Sequence, residues 1–137
     1  MTLNEATEAI YLQFATGWAA SSYSAIPYRF ENESNVEGES GWLRVSVREL
    51  DSRQETMASP GDRRFRRTGV IQVQIFAPID QGAKTSNLWA EQVRTIFEGV
   101  SFGDGVNSYS SAVRFVGADE RWHNVLSESF FEYHSIK

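Results

Sequence analysis

The run from Phe65 to Ala77 constrains this chain more than any other segment. Ile71, Val73 and Ile75 alternate with Gln72 and Gln74, Val70 and Phe76 flank them, and Pro78 ends the run. Proline has no N–H to give to a strand ladder, so the stop is chemical as well as geometric. A period of two over that length describes a strand with one face in a core and the other face polar. An antiparallel sheet covered on one side supplies that environment.

The remaining segments are consistent with such a sheet. In Trp42 to Leu50, the residues Leu43, Val45 and Val47 point one way and Arg44, Ser46 and Arg48 the other. Pro27 favours an extended backbone before it, and Tyr28, Arg29 and Phe30 form a short strand. Val113 and Phe115 alternate with Arg114, and a last strand runs from about Trp122 to Ile136. Two helices accompany the strands. Thr2 and Glu5 have capping-box spacing ahead of Leu3, Ala6, Ile10, Phe14 and Trp18, which recur at three- and four-residue steps. A second helix from about Thr85 to Glu98 gathers Trp89, Val93, Ile96 and Phe97 on one side, with Gly99 just past its end. Residues 31–41, 51–62 and 101–111 read as polar or Gly/Ser-rich loops.

The order α-β-β-β-α-β-β predicts an α+β fold, a two-layer sandwich with two helices on one face of a mostly antiparallel sheet. At 137 residues the chain makes one domain, 1–137, large enough to bury a core without staples. The final strand sets a condition of its own. Phe131 and Tyr133 lie on one face, while Phe130, Glu132, His134 and Ile136 lie on the other. A sheet covered on one side cannot bury both sets, which calls for a second surface such as another subunit.

The inventory of reactive groups is thin. The absence of cysteine removes disulfides and thiolate metal sites. His123 and His134 stand eleven apart, which is no metal-ligand spacing. His123 near Asp119 and Glu120 suggests a base and its orienting acid, but a histidine at a strand entrance is more often a plain hydrogen-bonder. No serine sits in a Gly-x-Ser-x-Gly turn. Ser101-Phe102-Gly103-Asp104-Gly105 follows a helix rather than a strand and lacks the Gly-Lys-Ser/Thr ending of a phosphate loop. The expectation is therefore no catalytic residue, no cofactor and no metal. No apolar run approaches the roughly 20 residues of a membrane span, and the acid early in Met-Thr-Leu-Asn-Glu is unlike a signal peptide.

Charge is clustered rather than spread. Glu31, Glu33, Glu37 and Glu39 form an acidic strip without a base, and Arg63, Arg64, Arg66 and Arg67 form a basic one. Eleven of the thirteen bases are arginine, which suits flat two-pronged contacts to carboxylates. A formal net charge of −5 and the lack of a lysine-rich stripe argue against nucleic-acid binding as the main role. These eight residues are the candidate interface, within or between copies, and the long 51–62 loop is a candidate binding segment.

The run Arg66-Arg67-Thr68-Gly69-Val70-Ile71-Gln72-Val73-Gln74-Ile75-Phe76-Ala77-Pro78 leads into a Gly-containing turn. A helix bearing Trp89, Ala90 and Ile96-Phe97-Glu98-Gly99 follows, and the strand Ser129-Phe130-Phe131-Glu132-Tyr133 ends the pattern. With the first helix carrying Ile10, Phe14 and Trp18, this order resembles the tail terminator-like proteins of long-tailed bacteriophages, the lambda-type tail terminator group. The resemblance implies a structural virion protein made in the host bacterial cytoplasm and located in the tail or neck. It implies a homohexameric ring that caps the tail tube, ends its polymerisation and meets the head-side connector. The partners are then other copies, the tube protein and the connector, with DNA only passing through the lumen and no membrane. The 51–62 loop would reach the tube below. A head–tail joining protein or a tube subunit is the nearer alternative; a small ligand-binding domain or enzyme is the more distant one.

Overall fold

Thr2 opens the first helix as the capping box requires. Its hydroxyl accepts from the Glu5 N–H at 3.2 Å, and the Glu5 carboxylate accepts from the Thr2 N–H at 3.2 Å. Helix α1 (Leu3–Ala19) buries Ala6, Ile10, Phe14 and Trp18 completely, one stripe at helical spacing. The computed structural model describes residues 1–31, 41–79, 82–119 and 121–137. Helix α2 (Gly82–Phe97) begins three residues before the expected Thr85 and turns Trp89, Ala90, Val93, Ile96 and Phe97 inward. The two helices approach closely at Gly17, where an added Cβ would stand 2.7 Å from Ile96.

Six strands form one sheet: β1 (Tyr28–Phe30), β2 (Trp42–Gln54), β3 (Arg64–Pro78), β4 (Ser101–Phe102), β5 (Val106–Ala118) and β6 (Trp122–Ile136). Their spatial order is β1-β2-β3-β6-β5-β4; β1 runs parallel to β2 and every other pair is antiparallel. The α+β architecture and the element order agree with the sequence, with the two-residue β4 added after α2. β3 is central, paired along its whole length with β6, from Arg64 opposite Ile136 to Pro78 opposite Trp122.

Both helices lie on one face. Leu43 and Val45 of β2, Ile71, Val73, Ile75 and Ala77 of β3, and Val125, Phe131 and Tyr133 of β6 meet them there. Phe14 is the hub, stacked with Trp18 at 5.7 Å and Phe97 at 6.3 Å and edge-on to Tyr28 at 5.0 Å.

Two expected loops contain strand. β2 continues to Gln54 and β3 starts at Arg64, so the 51–62 segment is the end of a hairpin. Asp51, Ser52, Arg53 and Gln54 pair with Thr68, Arg67, Arg66 and Phe65, after a register shift between Glu49 and Asp51. Neither side of that stretch is apolar, so it has no alternation to read. Likewise 101–111 folds into β4, a Gly103-Asp104-Gly105 turn and the start of β5.

Candidate assembly interface

Among the described residues no helix covers the second face of the sheet. Arg44, Arg48, Gln72, Gln74, Leu126, Glu128, Phe130, Glu132 and Arg114 occupy it by strand alternation and register. Several are paired across strands: Arg48 donates to Gln72 at 3.2 Å, and Arg114 meets Glu128 at 2.7 Å. Val70 is buried here between its register neighbours Arg48 and Phe130, while Phe130 and Ile136 remain largely exposed.

Beyond this face the β2–β3 hairpin projects as an arm, exposed from Arg48 to Asp62. Its tip is ordered by its own bonds. The Glu55 N–H donates to the Arg64 carbonyl at 2.8 Å, the Arg64 N–H to the Thr56 hydroxyl at 2.8 Å, and the Asp62 N–H to the Ser59 carbonyl at 2.9 Å. Met57 is thrown wholly into solvent.

The four arginines lie at the base of this arm but do not form one patch. Arg64 and Arg66 lie on the open face: Arg64 reaches Glu55 at 3.8 Å, and Arg66 donates to the Glu132 carboxylate. Arg67 faces the other way, over the Phe65 ring and within reach of Ser52 and Ser135. Arg63 donates from Nε to the Lys137 carbonyl at 3.1 Å. Of the acidic strip, Glu31 follows β1, its N–H donating to the Val45 carbonyl. Glu33, Glu37 and Glu39 lie outside the described residues, as does Glu120.

The strongest polar cluster was not evident from the sequence, because Tyr109, Arg66 and Glu132 are far apart in it. Burial pushes the Glu132 carboxyl up, but hydrogen bonds from Tyr109 and Arg66 and the charges of Arg66 and His134 together hold it below the usual range. A carboxyl lowered by folding stabilises the fold above its ordinary titration range, and that stabilisation is lost as pH falls through the lower, folded value. Glu132→Gln should therefore lower the urea midpoint at neutral pH and close the gap with the parent protein as pH falls below the ordinary carboxylate range. A gap that stays constant between neutral and acid pH would refute this role. On the helix side, burial and then the charge and hydrogen bond of Glu49 push the Tyr133 hydroxyl up to about 12.

A third feature lies at the opposite end of the sheet from the arm. Trp42 stacks on Phe76 at 4.3 Å with Arg44 over its ring, and Arg121 lies over Trp122. Beside them a cavity of about 250 Å³ is lined by Phe76, Gly117, Ala118, Asp119, Trp122 and Asn124.

Among the described residues catalytic geometry does not assemble around His123. Its Nδ1 lies 3.0 Å from the buried Ser86 hydroxyl and its ring packs on Phe115 at 4.8 Å. The Asp119 carboxylate is taken by the backbone N–H groups of Arg121 and Trp122, both at 2.7 Å. Among the described residues no group of three metal-binding side chains converges, and no helix is long and apolar enough to cross a membrane.

One solved structure superposes with a TM-score of 0.74 over 97% of this chain and 96% of the other, at 18% identity, a likeness of fold. No curated protein matches. The family model described as "Phage tail terminator protein" matches residues 6–112, from the first helix through the start of β5. That span covers more than half of the sequence, with all of β2, β3 and α2 and most of α1: the chain belongs to the phage tail terminator family.

Proposed function

We propose that this protein, a structural component of a phage tail by its family, closes as a homohexameric ring on the growing tail tube. The ring ends polymerisation and presents the surface on which the head-side connector docks. The observation that carries this reading is the sheet with one bare face and a projecting arm, in a chain of that family. A closed ring needs two different patches on each copy, one matching the other on its neighbour. The open side of the arm's base, with Arg64 and Arg66, is one; Glu31, Glu33, Glu37 and Glu39 of the next copy, or acidic groups of the tube, are its complement.

Six copies carry roughly −30 by formal count. A lumen of that sign lets DNA pass without the phosphate neutralisation that underlies binding. No catalytic step, cofactor or metal enters this role.

Phage lacking the protein should build overlong tails that do not join heads, seen by negative-stain microscopy. Tails of normal length in its absence would overturn the reading. Arg63 and Arg64 are the better arginines to reverse, since a carboxylate at 66 would stand against Glu132 and weaken the monomer itself.

A further inference from the structure

We infer that the tip of the β2–β3 arm, Met57 foremost, docks into the aromatic-edged cavity at Phe76, Gly117, Trp122 and Asn124 of the neighbouring copy. This rests on the ring reading above and names the contact that would close it.

The cavity lacks something that a ligand would supply. The Asn124 side-chain oxygen is buried and has no hydrogen-bond partner among the described residues, and Asn124 lines the cavity. The Trp42 Nε1–H, on the ring stacked against Phe76, is also buried and unpartnered. Buried polar atoms are nearly always bonded in a finished structure, so two orphans at one end of a sheet mark a place completed from outside. The Asn124 carboxamide needs only a turn about its last torsion to offer a donor or an acceptor to an incoming backbone.

The arm has the complementary properties. Methionine is suited to aromatic-walled cavities, where its sulfur gains from the ring edges. Met57 is fully exposed, yet it is carried on a tip fixed by the Glu55, Thr56, Ser59 and Asp62 bonds, so little ordering remains to be done on docking. The tip segment 55–62 holds no lysine or arginine, and its Glu55 is paired at home with Arg64 and His134, so the tip brings no unpaired cation to the arginine-bordered socket.

The occupant must come from another chain. Arg64 and Pro78 are the two ends of β3, one beside the tip and one beside the cavity. At about 3.3 Å per residue they are roughly 45 Å apart, so no arm reaches its own cavity. A knob at one end of a strand and a socket at the other make a head-to-tail contact, the kind that closes rings.

The chain has no cysteine, so a disulfide can report the contact directly. Gly117 lines the cavity, and an added Cβ there meets nothing within 4 Å. Tails purified from phage carrying Met57→Cys together with Gly117→Cys should, after mild oxidation, give a ladder of linked copies ending at six; either single variant should give none. Normal-length tails that carry the double variant yet show only unlinked protein would overturn the docking and leave the ring intact. A link from the cysteine at 57 to the tube protein would also overturn it, placing the arm below the ring. Tails on which mass measurement finds other than six copies would overturn the ring and the docking together. As a second measurement, Met57→Glu should raise the concentration for half-assembly by at least about tenfold while leaving the melting temperature unchanged. Assembly at the parent concentration would count against the docking.

Discussion

Gly69→Ala should lower the stability of the folded chain by about 3 kcal/mol or more, the largest loss expected from adding a single methyl group. Gly69 sits in the central strand β3 with Glu49 on one side and Phe131 on the other. A Cβ there would run into the Arg48 carbonyl oxygen and stand 2.7 Å from the Phe131 ring. The carbonyl belongs to the ladder and cannot move without breaking it. Phe131 is fully buried and stacked on Tyr133, so it cannot yield either. For a domain of this size the loss corresponds to a melting temperature roughly 10 °C lower. A variant melting within about 2 °C of the parent would show that the sheet can open at this point.

Phe14→Ala should cost about 3–5 kcal/mol, the range for emptying a large aromatic site in a core. Phe14 touches the rings of Trp18, Tyr28 and Phe97, so one side chain joins α1, β1 and α2. Neighbouring rings are rigid and collapse poorly into a void, which puts the loss towards the upper end of the range. Phe14→Leu keeps most of the volume and should cost about 1–2 kcal/mol. Urea unfolding of the two variants checks both values, and equal losses would mean that the apolar bulk kept by leucine contributes nothing and the ring contacts carry the whole effect.

Where burial was one-sided, the sequence carried its own structure. Leu43, Val45, Ile71, Val73 and Ile75 repeat with a period of two because a helix layer sits over them, and Ala6, Ile10, Phe14 and Trp18 repeat at helical spacing for the same reason. The arm was hidden because both of its faces meet solvent, so residues 51–54 carry no pattern while still making a ladder. The basic strip offers a sharper lesson. Four arginines in five positions look like one patch, yet the strand period sends Arg64 and Arg66 to one face and Arg67 to the other. The aromatic end went unread because Trp42, Phe76 and Trp122 are flanking residues of three separate strands, and only the register brings those strand ends together.

The pairing of β3 with β6 has a consequence for how the chain is made. β3 is complete at residue 78, but its partner β6 is residues 122–136, made after α2 and β5. A nascent chain thus holds a long, apolar, half-paired strand while α2 and β5 are still being synthesised, a state open to pairing with other chains. Contacts that distant in sequence also close slowly. The central sheet of this protein is therefore completed only once β6 has been made, and removal of β6 leaves its middle strand paired with β2 alone.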